Sequence, residues 1–224
     1  MAEVTARLAA GSGMTSLRTR ARMIERLREQ GIRDEAVLAA LAAVPRHLFV
    51  EEALASRAYE DTPLPLGCSQ TISQPFVVAR MIEILLDQRA GLGKTLEIGA
   101  GCGYQAAVLA QLTREVYAVE RIGALLEQAK GNLRAVREFR VRLKYADGQL
   151  GLPEAAPFDT IIVAAATRSV PPALLQQLSL GGRMLLPLGS EGGQRLLLIE
   201  KRAEAYVETR LDGVRFVPLL SGLE

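Results

Sequence analysis

Residues Glu97 to Tyr104 read EIGAGCGY, with three glycines in alternation between an apolar run, KTLEIG, and a run of helical spacing, YQAAVLAQL. A backbone that turns tightly and approaches a ligand closely needs residues without a Cβ, and Gly99, Gly101 and Gly103 supply three. The dinucleotide pattern G-x-G-x-x-G is absent, because its last position falls on Tyr104. A second stretch, GCSQTISQPF (67–76), holds six small hydrogen-bonding side chains: Cys68, Ser69, Gln70, Thr71, Ser73 and Gln74. A turn needs Gly, Asn, Asp or Pro, but not this density of donors. Such a loop, ahead of a proline-started helix, is suited to orienting an anion without an ion pair. Two acids, Glu120 in AVE and Asp147 in YADG, complete the set of residues equipped for ligand chemistry.

The elements that must position these residues follow from periodicity. SLRTRARMIERLREQ (16–30) spaces Leu17, Met23, Ile24 and Leu27 as a helix, and Asp34 caps DEAVLAALAAV (34–44). FVVARMIEILL follows Pro75 as a helix. Strands and helices then alternate: KTLEIG, YQAAVLAQL, EVYAVE, GALLEQAKGNLRAV, FRVRLKYA, FDTIIVAAA and the helical PPALLQQLSL. GRMLLPLG, RLLLIEKR and VRFVPLL end the chain as strands with few helices between them. This pattern predicts an α/β fold with a doubly wound parallel sheet, N-terminal helices and antiparallel C-terminal edge strands. The expected organisation is a leader over 1–15 and one domain over 16–224, divided into a helical arm (16–66) and a ligand-binding core (67–224).

Composition narrows the function classes. A chain of 224 residues with 49% hydrophobic and 23% charged residues is globular, and a formal charge of +2 predicts neither a nucleic-acid nor a membrane partner. No segment approaches the roughly 20 apolar residues of a membrane span, and the N-terminus does not read as a secretory signal. Two cysteines, Cys68 and Cys102, and one histidine, His47, form no metal-ligand spacing. No metal is expected, and the chain reads as cytoplasmic. The arginines of residues 16–30 fit a solvated helix face better than a nucleic-acid face.

The E-x-G-x-G-x-G loop resembles the cofactor loop of S-adenosylmethionine-dependent methyltransferases. That resemblance implies S-adenosyl-L-methionine as cofactor, held by Glu97, Gly99, Ala100, Gly101 and Gly103. Glu120 would take the ribose hydroxyls, and Asp147 with Gly148 would face the adenine. The acceptor is a separate matter. The strand FDTIIVAAA ends in TRSVPP, lacking the Asn/Asp-Pro-Pro-aromatic motif of base-nitrogen methylation, and no Pro-Cys nucleophile stands there for pyrimidine carbon.

TISQPF, with PRHLFV (45–50), AYEDTPLP (58–65), LEIGAGCGYQAAVLA (96–110), VERI (119–122), FDTIIVAAA (158–166), GGRMLLPLG (181–189) and VRFVPLL (214–220), closely resembles the bacterial protein-L-isoaspartate O-methyltransferase family. The resemblance runs from about residue 22 to the end. It implies methyl transfer to the free α-carboxylate of L-isoaspartyl residues in damaged peptides and proteins, which opens a route back to aspartate through a succinimide. Its active-site serine matches Ser73, with Gln70, Thr71 and Ile72 as substrate contacts. Two positions depart from the family's usual pattern: Cys68 stands where many bacterial members have His, and Phe76 where they have Tyr. A carboxylate is ionised at neutral pH and needs no strong base, so short neutral donors suffice and His47 is not required. The plain alternative for Ser73 is a helix cap ahead of Pro75, and capping and catalysis could coexist. Two other readings stay open at this point: a methyltransferase for a small molecule or RNA, and a nonenzymatic cofactor-binding module.

Overall fold

A computed structural model describes residues 11–190 and 192–224. Residues 1–10 of the expected leader lie outside it, and the leader's last residues, Gly13–Thr15, form a 3₁₀ turn. Helix α1 (Leu17–Glu29) is capped by Ser16 and buries Met23, Ile24 and Leu27 on one face. Helix α2 (Glu35–Ala43) starts where the Asp34 carboxylate accepts from the amides of Ala36 and Val37, at 2.9 and 3.0 Å. Two 3₁₀ turns, Arg46–Phe49 and Glu52–Arg57, lead to a hairpin of β1 (Leu64–Gly67) and β2 (Gln70–Ile72). Helix α3 (Pro75–Leu86) follows, with proline at its first position, where no amide is needed.

The alternating segments then build one sheet: β3 (Thr95–Ile98), α4 (Tyr104–Leu112), β4 (Val116–Glu120), α5 (Gly123–Ala135), β5 (Val141–Tyr145), β6 (Phe158–Val163), α6 (Pro172–Gln176), β7 (Leu178–Ser190), β8 (Gly193–Lys201) and β9 (Tyr206–Val214). Strand order is β5-β4-β3-β6-β7-β8-β9, parallel through β7, with β8 antiparallel to both neighbours. Order reverses at β3, between β4 and β6. At such a switch point the loops leaving the carboxyl ends of the central strands diverge and open a crevice.

Buried parallel strands need apolar residues on both faces. Leu96, Ile98, Ile161, Val163, Met184 and Leu186 join one hydrophobic cluster with Leu174 of α6. Ile162, Leu185 and Leu196 face the other way, into a cluster fed by α1 through α5. Glu97 lies between Leu96 and Ile98 and therefore points to the helix-rich side. Met23, Leu27 and Leu41 of the arm share that cluster with Met81, Ile82 and Val108.

Two boundaries differ from the sequence expectation. The helix expected over 171–180 stops at Gln176, because Leu178 already pairs with Phe158 in the sheet. The last strand is YVETRLDGV (Tyr206–Val214), not VRFVPLL. As an edge strand, β9 is wetted and polar, so it carries no apolar signature. The apolar VRFVPLL instead runs on as a tail beyond β9, bridging Ala166 through Val217, Pro218 and Leu219.

Candidate active site

The glycine loop leaves β3 and enters α4 with Gly99, Gly101 and Gly103 at φ of 86°, 53° and 84°, backbone conformations that disfavour side chains. The amides of Gly99 and Ala100 both donate to the Val119 carbonyl at 3.0 Å, fastening the loop to β4. The Gly101 amide donates to Glu120 Oε2 at 2.8 Å, and the Ile122 amide to Glu120 Oε1 at 2.9 Å. Glu120, only 5% exposed, is thereby fixed at the carboxyl end of β4. Each carboxylate oxygen offers two lone-pair directions, so one on each remains for a ligand with paired hydroxyls.

Glu97 has no exposed surface. Its Oε1 accepts from Gln105 Nε2 on α4 at 2.9 Å, and its Oε2 has no hydrogen-bond partner. Burial first, and the nearby Glu120 charge in addition, push its pKa up to about 8. An orphaned carboxyl atom beside a glycine cradle fits a site that awaits a polar ligand. Cys102, between the last two glycines, is buried, and burial raises its thiol to about 11, so it stays un-ionised and inert near neutral pH.

The polar stretch is the β1–β2 hairpin and its exit. Cys68 and Ser69 form the two-residue turn with φ of 50° and 55°, a conformation usually given to Asn-Gly. Ser73 is half-buried beyond β2. Its carbonyl accepts from Arg46 Nη2 at 2.8 Å, while its hydroxyl bonds no described residue. Ser73 is not the helix cap: Gln74 holds that position, and the orphan amide of Phe76 is met by the distant Asp61 carboxylate at 2.9 Å. Arg46 has no exposed surface, also donates to the Ala58 carbonyl at 2.8 Å, and lies 4.7 Å over the Tyr104 ring. One buried cation thus touches the exit of the polar hairpin and the first residue of α4. His47 is set aside from this chemistry, with Nδ1 2.8 Å from the Tyr59 hydroxyl.

One cleft of about 850 Å³, open solvent included, brings the two motifs together. Gln70, Thr71, Ile72 and Ser73 line it opposite Glu97, Gly99, Ala100, Gly101, Glu120 and Gly148. Gly103 and Asp147 are not in its wall. A Cβ at Gly103 would press on Ala129 of α5 at 3.3 Å, so this glycine serves helix packing. The Asp147 carboxylate accepts from the Gln149 amide at 2.8 Å and the Gly222 amide at 2.6 Å, which ties down the C-terminal tail. That tail supplies Val217, Pro218, Leu219 and Leu220 to the cleft. These residues, with Gln105, Arg46 and Asp61, escape the sequence reading because only tertiary contact reveals their use. Among the described residues, no group of three or more His, Cys, Asp or Glu could hold a metal, and no helix is long and apolar enough to cross a membrane.

The site can be compared with known proteins. The family model of protein-L-isoaspartate(D-aspartate) O-methyltransferase matches residues 18–224. The chain belongs to this family. The protein-L-isoaspartate O-methyltransferase of Dechloromonas aromatica is 75% identical over 214 residues, covering 96% of this chain and 99% of the relative. That of Azoarcus sp. is 64% identical over 207 residues, or 92% of this chain and 95% of the relative. A solved protein-L-isoaspartate O-methyltransferase superposes with a TM-score of 0.82 at 30% identity, over 91% of this chain and 67% of that one. A putative Plasmodium falciparum member, in complex with S-adenosyl-L-homocysteine, shares the fold at a TM-score of 0.78 and 23% identity, over 90% and 98% of the two chains. This isoaspartate methyltransferase is an S-adenosylmethionine-dependent enzyme of protein repair, with the Rossmann-like sheet expected of one.

Proposed function

We propose that Glu97, Gly99, Ala100, Gly101, Glu120 and Gly148 hold S-adenosylmethionine, and that Ser73 with Gln70, Thr71 and Ile72 holds the isoaspartyl α-carboxylate. The observation that carries this reading is the shared cleft, with the glycine loop on one wall and the β1–β2 hairpin on the other. Bound there, S-adenosylmethionine would supply an electrophilic methyl group from its sulfonium, the C–S bond electrons staying on sulfur to leave the thioether S-adenosylhomocysteine.

The protein's task is orientation. The acceptor is already an anion at neutral pH, so no residue need remove a proton. The Ser73 hydroxyl, which bonds no described residue, donates one hydrogen bond and leaves the other carboxylate oxygen bare for attack. The N-terminus of α3, twelve residues long, adds a favourable dipole beside it. Asp147 has no assigned contact with the adenine in this scheme; its carboxylate holds the tail that forms the wall there. The single domain over 16–224 is supported by the cluster that the arm shares with α3 and α4. A cytoplasmic site of action suits a repair enzyme with two free cysteines.

RNA as acceptor finds little support. Arg20 donates to the Tyr59 hydroxyl and the Ala42 carbonyl, Arg26 to the Tyr59 carbonyl, and Arg28 pairs with Glu25 and Glu35. These arginines serve the arm itself. The test is transfer of radiolabelled methyl to an isoaspartyl peptide, its aspartyl twin and bulk RNA. Label is expected on the first alone, as a base-labile ester; equal labelling of the aspartyl peptide or of RNA would overturn the assignment.

A further inference from the structure

A groove of about 1610 Å³, open solvent included, continues from the cleft between α3 and the β8–β9 edge of the sheet. Thr71 and Val217 belong to both walls, so the groove adjoins the cleft on the side that carries Ser73. Its floor is apolar: Phe76 and Val77 of α3 face Leu196, Val214 and Phe216. The rim is braced. The Gln194 side chain donates to the Phe216 carbonyl at 3.0 Å and accepts from the Phe216 amide at 2.7 Å. Arg80 on α3 pairs with Asp212 of β9 at 3.3 Å and with Glu83 at 3.0 Å, so its charge is answered within the protein. Arg215 is different. It is exposed, lines the groove and makes no ion pair with a described residue.

We infer that this groove receives the polypeptide flanking the isoaspartyl residue, and that Arg215 makes it favour an acidic over a basic side chain in that flank. The inference rests on the reading of Ser73 as the acceptor site. An isoaspartyl residue is embedded in a chain, so a flank must leave the cleft on each side of it. The groove joins the cleft at the acceptor wall, away from Glu120 and the cofactor loop. Half-buried aromatic and branched residues suit the side chains of an extended peptide, and an unanswered cation at the rim supplies the charge preference.

The experiment uses the full chain with isoaspartyl peptides of one core sequence. One peptide is minimal; the others are extended by three residues on the amino or the carboxyl side, with either Glu or Lys in the extension. The readout is the Glu-to-Lys ratio of kcat/KM within one enzyme. An exposed charge pair contributes modestly, so a ratio of about two to five is expected for one side, falling towards one in high salt. In Arg215→Glu the ratio on that side should invert to below one. A ratio of one on both sides in the parent enzyme, or a ratio unmoved by Arg215→Glu, overturns the groove assignment, while the acceptor site is judged separately by whether Ser73→Ala loses turnover of the minimal peptide. If no isoaspartyl peptide is methylated, both readings fall together.

Discussion

Replacing Glu97 with Gln tests the electrostatics of the cleft most directly. Glu97 is fully buried, has one oxygen without a partner, and its pKa is pushed from the ordinary 4.5 to about 8. In the folded protein the group therefore keeps its proton between those values, while in the unfolded chain it has lost it. The folded state binds one more proton across that window, so stability falls as pH rises, by about 1.4 kcal/mol for each pH unit. The loss begins near pH 4.5 and levels off above pH 8, amounting to roughly 5 kcal/mol as an upper estimate. Glu97→Gln keeps the shape and the Gln105 hydrogen bond but cannot ionise. Its stability relative to the parent should rise by about 2–3 kcal/mol between pH 6 and pH 8, read as the difference between two denaturant titrations without cofactor. Parallel stability curves over that range would refute the reasoning, since Glu97 would then ionise normally in the fold.

Ser73→Ala should lower turnover on isoaspartyl peptide by about ten- to a thousand-fold with cofactor affinity and melting temperature nearly unchanged, because its hydroxyl bonds no described residue; full activity would remove Ser73 from the chemistry. Glu120→Ala should weaken S-adenosylmethionine binding by roughly 1–3 kcal/mol in calorimetry, since it strips the anchor of the Gly101 and Ile122 amides together with the ligand's acceptor. Cys102→Ser should retain most of its turnover at low temperature, and thiol reagents at neutral pH should react with exposed Cys68 first, which peptide mapping can follow. Ser69→Gly relieves a left-handed residue in the hairpin turn and should raise stability by up to about 1 kcal/mol in thermal melts.

The sheet was legible because buried parallel strands and their helices carry strong periodicity: YQAAVLAQL is α4 to the residue, and EVYAVE misses β4 by one. The β1–β2 hairpin was not, because Cys68-Ser69 occupies a turn that sequence rules reserve for glycine and asparagine. β9 was missed for the opposite reason, as a solvated edge has no apolar face to announce it. In the cleft, the fixing of Glu120 was partly legible from local pattern, since it ends EVYAVE two residues before the Ile122 amide that it accepts from, whereas Ser73 was singled out by the family resemblance of TISQPF. Of the two contacts of Asp147, the Gln149 amide belongs to its local turn, but the Gly222 amide comes from 75 residues away and leaves no local signal. Arg46 was invisible on the same grounds: nothing in PRHLFV says that its guanidinium will be buried beneath Ser73.

That buried arginine carries a consequence for how the enzyme is assembled. Arg46 grips the Ser73 carbonyl, and Asp61 holds the first free amide of α3, so both ends of the wall proposed to hold the acceptor are fastened by residues of the arm. The Arg46 guanidinium also rests on Tyr104, the residue that follows the glycine loop. A chain in which the sheet has formed but residues 17–61 have not yet docked would present the cofactor wall without a working acceptor wall opposite it. On the proposed assignment, competence to take up the cofactor and competence to repair a substrate would be separable, the first resting on the sheet and the second also on the docked arm. The second would require the helical arm to be seated against α3 and α4, which share the common hydrophobic cluster with it.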